Sequence, residues 1–211
     1  MQQVYTIDEI MGMNKISRIN FMNTISGFKS ANLIASINDI GKSNLAIFSS
    51  VIHLGSKPPF FGFVSRPASV ERHTLSNILA NKFYTINHVN TNNFNQAHQT
   101  SGKYPMGISE FEQCGLNEEY INDFKVPFVN SSSVKLAMEF VEKLHIAAND
   151  TVLVVGKLLF VATPSNALQE TGMISLENLG TTAISGINSY HATKKLATLP
   201  YVSAQNASGN D

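Results

Sequence analysis

The sequence predicts a mainly β fold that closes into a barrel and carries short peripheral helices. Three observations carry the prediction. Residues 32–37 (NLIASI), 60–64 (FFGFV) and 83–89 (FYTINHV) are short runs of β-branched, aromatic and aliphatic residues bounded by turn formers. Residues 151–163 (TVLVVGKLLFVAT) form a long strand pattern with Gly156 in its middle, the mark of a bulge or sharp bend that a closing barrel needs. Helical spacing is confined to short stretches.

Taken in order, residues 6–11 predict one or two helical turns, with Thr6 as cap and Asp8 and Glu9 in the first turn. Residues 15–21 mix basic and apolar side chains and are expected to connect into the barrel. The strand at 32–37 meets a turn at Asn38-Asp39-Ile40-Gly41, and residues 43–50 answer it as the second arm of a hairpin. A serine-bearing bend leads through Pro58-Pro59 to the strand at 60–64, which Arg66-Pro67 ends because proline cannot donate to a ladder. Apolar residues then recur at helical spacing (Leu75, Ile78, Leu79), with Thr74 as the expected cap. After the strand at 83–89 comes an asparagine-rich stretch, a helical turn at 94–99 carrying His98, and a glycine-bearing loop at 101–107. This region is the expected lid. Ser109 and Glu112 suit a capping box for a helix ending at Gly115.

Residues 134–146 fit two periods. Val134, Leu136, Met138 and Phe140 alternate as in a strand, whereas Val134, Ala137, Met138, Val141 and His145 share one helical face. The neighbour decides. A turn at Ala148-Asn149-Asp150 leads directly into the strand at 151–163, and two strands joined by a short turn suit a barrel. Residues 184–190 predict a last short strand or turn. A single domain over residues 1–211 is expected, with about 1–25 as an N-terminal helix and connection and about 203–211 as a flexible tail.

Composition narrows the function. Apolar residues make up 43% of the 211, enough for a core, while charged residues reach only 14%, which points to surface covered in an oligomer. Lys+Arg and Asp+Glu balance at 15 each, so no global field recruits nucleic acid or a membrane surface, and an anion must be held by a local cluster. One cysteine, Cys114, rules out an internal disulfide and reads as a buried small side chain. The N-terminal MQQVYTIDEIM lacks a basic region and an apolar core, and the longest apolar runs fall short of a membrane span, so the expected location is cytoplasmic. The six histidines have no metal-ligand spacing, and no G-x-S-x-G, G-x-G-x-x-G or Walker pattern is present.

The residues alone give a phosphate-competent cluster, with a solvated basic loop as the alternative reading. Arg66, Arg72, His73 and Thr74 fall within nine positions and end at a helix start, where backbone N–H groups and the dipole favour an anion. Ser49, Ser50 and Ser56 at the preceding bend could equally satisfy backbone groups at strand ends.

The ordered set SGFKSANLIAS (26–36), NLAIFSSVIHLGSKPP (44–59), GFVSRP (62–67), RHTLSNI (72–78), YTINHV (84–89) and SGKYPMGISEFEQCGL (101–116) resembles the flavin reductase-like family. These are FMN-binding split β-barrels, and the match is to a branch with an RP…RHT signature. The resemblance implies the split-barrel fold, an FMN cofactor ahead of FAD, and hydride transfer from NAD(P)H to flavin N5. It also implies a homodimer, small-molecule electron donors and acceptors, and in some relatives a monooxygenase partner. By the same resemblance Asn44, Ser49, Ser50 and Val51 line the flavin, and Arg66, Arg72, His73 and Thr74 hold its phosphate with Asn77 as an added donor. Lys29, Ser30 and Asn32 lie near the cofactor. His98 and Ser101, with Tyr104 and Phe111, belong to the segment closing over the ring. No protein acid or base is required for hydride transfer itself, and no catalytic side chain is assigned. One departure stands out. Many relatives carry Gly-Asp-His before the long late strand, where this chain reads Asn149-Asp150-Thr151, which leaves the electron donor open. A non-catalytic flavin-binding or sensing protein, or an oxidoreductase with another organic substrate, is the alternative.

Overall fold

The structure is a computed structural model that describes residues 1–67, 73–105 and 107–202. Two helices, α1 (Ile7–Gly12) and α2 (Lys15–Ile25), lead into β1 (Lys29–Ser30), β2 (Asn32–Ile37), β3 (Ser43–Phe48), β4 (Ile52–Ser56) and β5 (Pro59–Ser65). Then come α3 (His73–Asn81), β6 (Phe83–His88), α4 (Phe94–Gln99), α5 (Glu110–Gln113), β7 (Glu118–Glu119) and β8 (Phe128–Val129). The long hairpin β9 (Lys135–Ile146) and β10 (Thr151–Ala162) is followed by β11 (Thr182–Ser185) and β12 (Ser189–Ala192).

Seven strands form one antiparallel sheet in the order β3-β2-β6-β9-β10-β5-β4. This order dictates closure. β3 and β4 occupy opposite edges, yet only Ser49, Ser50 and Val51 join them. Six strand spacings laid flat span about 29 Å, whereas the four Cα steps from Phe48 to Ile52 reach about 14 Å at most. The sheet therefore curls until its edges approach. Because β3 and β4 do not pair with one another, the barrel stays split along that line. Ser50 ties the link to β5, extending the β4–β5 register: its hydroxyl donates to the Val64 carbonyl and accepts from the Val64 N–H, both at 3.1 Å.

Two cores follow from the alternation of side chains across the sheet. Ile34, Phe63, Tyr84, Ile86, Leu136, Met138 and Val154 fill the interior, plugged by Leu75 and Ile78 of α3. Leu33, Ala35, Leu45 and Val89 face the other way, beneath Ala97 of α4, Phe111 of α5 and Ile184 of β11. The bulge expected at Gly156 is present as a register shift between Val155 and Gly156, and a second shift lies between Leu158 and Phe160. Residues 134–146 are strand, as their turn neighbour required. Cys114 is buried.

Thr6 caps α1 in a full capping box with Glu9, and the β2–β3 turn is closed by Asn38, whose side-chain oxygen accepts from Ile40 N and Lys42 N. Several local expectations need correction. Residues 15–21 are the first part of α2, capped by Asn14, rather than a connection. The second hairpin arm stops at Phe48, where the chain must leave the sheet edge. Residues 52–56 form an unforeseen edge strand, β4. Thr74 does not cap α3, which already includes His73. Ser109 precedes α5 but makes no capping bond; its hydroxyl instead meets Ser43 Oγ at 2.8 Å. The tail expected from residue 203 lies outside the described residues.

Candidate functional site

Sheet closure brings the ends of three segments together around a cleft of about 820 Å³. One wall is β3 and the link after it, contributing Asn44, Ala46, Phe48, Ser49 and Ser50. The second is the end of β5 and the start of α3: Val64, Ser65, Arg66, His73 and Thr74. The third is the loop after α4 together with α5 and the β11–β12 hairpin, bringing Ser101, Lys103, Tyr104, Glu110 and Tyr190. The serine bend and the ends of the basic segment thus share one cavity. That follows from topology, because Ser50 holds the link after β3 to Val64 of β5 and α3 packs under β2 and β3.

The wall is ordered along β3. At its start the Asn44 amide donates to Thr74 Oγ1 at 3.0 Å, both residues buried. Next to it, Leu45 N–H donates to Glu110 Oε2 at 2.9 Å. The strand then runs through Ala46 and Phe48 to the bend at Ser49 and Ser50. Loop 100–105 is folded back on α4: Thr100 and Ser101 hydroxyls donate to the carbonyls of Ala97 and His98, and the Tyr104 hydroxyl donates to Gln99 O at 3.2 Å. Tyr190 is pinned from behind by His98, whose Nδ1 lies 3.1 Å from the Tyr190 hydroxyl with the rings edge-on. Burial pushes the Tyr190 phenol up to about 12, so it stays protonated near neutrality.

Of the residues singled out in the sequence, Asn44, Ser49, Ser50, Arg66, His73, Thr74, Ser101 and Tyr104 line this cleft. Ser50 lines it with a hydroxyl already engaged by Val64. The remainder stand elsewhere. Lys29 Nζ donates to the Asn23 carbonyl at 2.6 Å, and only Asn23 reaches the wall. Ser30 accepts from the Asn32 amide at 2.9 Å, and Asn32 is buried in the sheet opposite His88. Val51 packs on the interior core. Asn77 donates to Ser36 Oγ at 3.1 Å and lines a neighbouring groove of about 290 Å³ that shares Asn44 and His73 with the cleft. His98 acts on the wall only through Tyr190. Phe111 is core. Arg72 lies outside the described residues.

Tyr190 and Glu110 are among the wall residues that escaped the sequence reading. Tyr190 carried no local signal, since its place depends on the β11–β12 hairpin folding back over α4. Glu110 was hidden by the Ser109-x-x-Glu112 pattern, which draws attention to the wrong glutamate. Burial raises the Glu110 carboxyl, opposed by its bond from Leu45 and by the nearby His73. The Asn149-Asp150-Thr151 stretch lies at the β9–β10 turn, where His145 Nε2 meets Asp150 Oδ1 at 2.7 Å. Val152 pairs with Ser65, so that turn stands beside the cleft wall.

A flavin nucleotide suits this wall. The volume falls within the ~300–1,000 Å³ of small-molecule sites. Phe48, Tyr104 and Tyr190 provide aromatic surface, the serines and threonine provide hydroxyls, and Arg66, Lys103 and His73 are cation-capable groups for a phosphate.

Comparison with known proteins agrees. The flavin reductase like domain matches residues 26–181. The crystal structure of a flavin reductase candidate with a split barrel domain, from Shewanella frigidimarina NCIMB 400, shares 45% identity, covers 95% of this chain and 100% of that one, and superposes with a TM-score of 0.92. Nitrilotriacetate monooxygenase component B from Bacillus cereus is 16% identical, with 94% and 100% covered and a TM-score of 0.81, a likeness of fold alone. An uncharacterized protein of Aquifex aeolicus (strain VF5) is 23% identical over 146 residues, 68% of this chain and 74% of that relative. The matched span contains the whole seven-stranded sheet and most of the cleft, and this chain belongs to the flavin reductase-like family of split barrels.

Proposed function

We propose that the cleft holds FMN and that the protein is an NAD(P)H:flavin oxidoreductase. The observation that carries this reading is that the serine bend and the ends of the basic segment, 16 or more residues apart in sequence, line one cavity. Bound there, FMN would supply two-electron redox chemistry between NAD(P)H and an acceptor. The chain's own residues bind, orient and shield. The Ser49–Ser50 bend orients the ring, with Ser50 locking its own backbone to β5. Arg66 and His73 hold the phosphate, joined by Arg72. Tyr104 and Tyr190 cover the ring side and keep water out. The donor and acceptor are small molecules, and an oxygenase component is the partner that a reductase of this kind serves.

The protein functions as a homodimer. Neither α1 nor α2 buries a single residue, although Ile7, Met11, Ile16, Met22 and Ile25 are all exposed, and such apolar surface calls for cover. Sedimentation is expected to give twice the chain mass of 23.1 kDa; a monomer at micromolar concentration contradicts this.

Purified protein mixed with FMN and desalted is expected to stay yellow, and anaerobic mixing with NADH or NADPH to bleach it promptly. Colourless protein refutes the cofactor. Yellow protein that neither nucleotide bleaches retains the flavin and removes nicotinamide as donor, which favours a sensing role or another organic reductant. The altered stretch at Asn149-Asp150-Thr151 beside the cleft is what makes that second reading concrete.

A further inference from the structure

Glu110 is the sole carboxylate on the cleft wall among the described residues, and it is only 6% exposed. Holding a carboxylate out of water is costly unless its lone pairs find donors. An ionised carboxylate offers about four acceptor sites and no donor. Leu45 N–H takes one of them, the Glu110 backbone N–H approaches another, and His73 lies close by, which leaves acceptor sites for a ligand. The Leu45 bond also satisfies an edge strand, a purpose a neutral glutamine or serine would serve without the burden of charge.

The position of Glu110 along β3 says what else it can meet. It grips Leu45, while the bend that orients the ring begins at Ser49, four residues or about 13 Å further on. His73 and Thr74 stand beside Asn44, one residue in the other direction. A ligand lying along β3 with its ring at the serines and its anionic end near His73 therefore passes its connecting chain along Glu110.

We propose that Glu110 is a specificity residue whose carboxylate accepts hydrogen bonds from hydroxyl groups on the ribityl chain, so that the site selects a polyhydroxylated linker over a plain alkyl one. The inference rests on the flavin reading above and assigns a role within the same cleft. The hydroxyl side chains elsewhere on the wall can both donate and accept; the ionised Glu110 carboxylate can only accept, and in that form it is selective for O–H groups.

The test compares FMN with its 10-(5-phosphopentyl) analogue, which has the same ring and phosphate and no chain hydroxyls. Affinities are read by fluorescence titration in wild type, Glu110→Gln and Glu110→Asp. Because both ligands carry the phosphate, the charge change in Glu110→Gln acts on both alike and cancels in the ratio. Glutamine keeps an acceptor for Leu45, and aspartate keeps the charge but withdraws it by one methylene, so one variant serves if the other does not fold. Wild type is expected to prefer FMN, and the preference to fall about five- to tenfold in either variant, the difference between a charged and a neutral or broken bond. An unchanged ratio overturns the assignment, whether both affinities fall together or neither moves. Absence of binding of either ligand to wild type would instead sink the flavin reading itself.

Discussion

Replacing Gly156 with alanine tests how tightly the barrel is closed. Gly156 lies at the bulge in β10, and an added Cβ would overlap the Tyr84 hydroxyl and lie 2.8 Å from its Cζ and 3.1 Å from its Cε1. Tyr84 cannot step aside. It is fully buried, reaches across the interior from β6, and stacks edge-on against Phe63 at 5.8 Å. Overpacking of a core costs about 1–3 kcal/mol, and the upper end applies here because the contact is with a ring wedged in place. At ~2–4 °C per kcal/mol for a chain of this size, the melting temperature should drop by roughly 6–12 °C. Tyr84→Phe sharpens the test. The Tyr84 hydroxyl is buried without a hydrogen-bond partner among the described residues, so its removal should be neutral or stabilising by about 1 kcal/mol. In the Tyr84→Phe background Gly156→Ala should cost only about half as much, since the worst overlap is gone and the ring carbons remain close. Thermal melts of the four proteins form a double-mutant cycle. A melting temperature for Gly156→Ala within 2 °C of wild type, or strictly additive effects, would refute the geometry.

Other perturbations read the cleft and its supports. Arg66→Ala and Arg72→Ala should each weaken FMN by about 1.5–3 kcal/mol and leave riboflavin binding unchanged, as charged bonds to a phosphate require; equal losses for both ligands in titrations would remove these arginines from the anion site. Ser50→Ala breaks two bonds to Val64 and should lower stability by about 1–3 kcal/mol in urea titrations, along with FMN affinity; an unaffected unfolding midpoint would show that the link is held to β5 by other contacts. His88, lowered by burial from 6.5 to about 4, gives a pH signature. The unfolded chain binds the extra proton between these values, so stability should be complete above 6.5 and be lost as pH falls toward 4, by about 2–3 kcal/mol. His88→Gln should flatten that slope between pH 7 and 4.5; an unchanged slope would show that other groups carry it.

The elements legible in the sequence were those whose signal is local. Residues 32–37, 83–88 and 151–162 alternate or run apolar at strand length, and Thr6 with Glu9 forms a capping box that needs nothing beyond α1 itself. What escaped depended on distant partners. β4 (IHLGS) is short, half polar and mostly exposed, and it is a strand only because β5 turns back along it. The mixed pattern of α2 has no amphipathic face at all, and no residue of it is buried. At the site, Ser49, Ser50, Arg66 and His73 could be grouped because their chemistry is clustered within 25 positions. Glu110 and Tyr190 could not, since 60 or more residues separate them from the strand they stand beside.

The same dependence explains why the cleft sits where it does. A fully closed barrel would pair β3 with β4 and bury the N–H groups between them. Here the three-residue link carries the chain across the gap to pair with β5 instead, and a side chain serves the outer edge of β3: Glu110 accepts from Leu45 N–H, while the Ser43 hydroxyl beside it meets Ser109 and Glu118. The walls opposite that edge are then whatever the chain places at the ends of neighbouring strands, which are the end of β5 and the start of α3. An opening bounded by a strand edge on one side and a helix start on the other presents backbone and side-chain donors along its whole length. A long ligand with a polar ring at one end and an anion at the other matches that order of groups, whereas a compact apolar ligand would leave most of them unpaired.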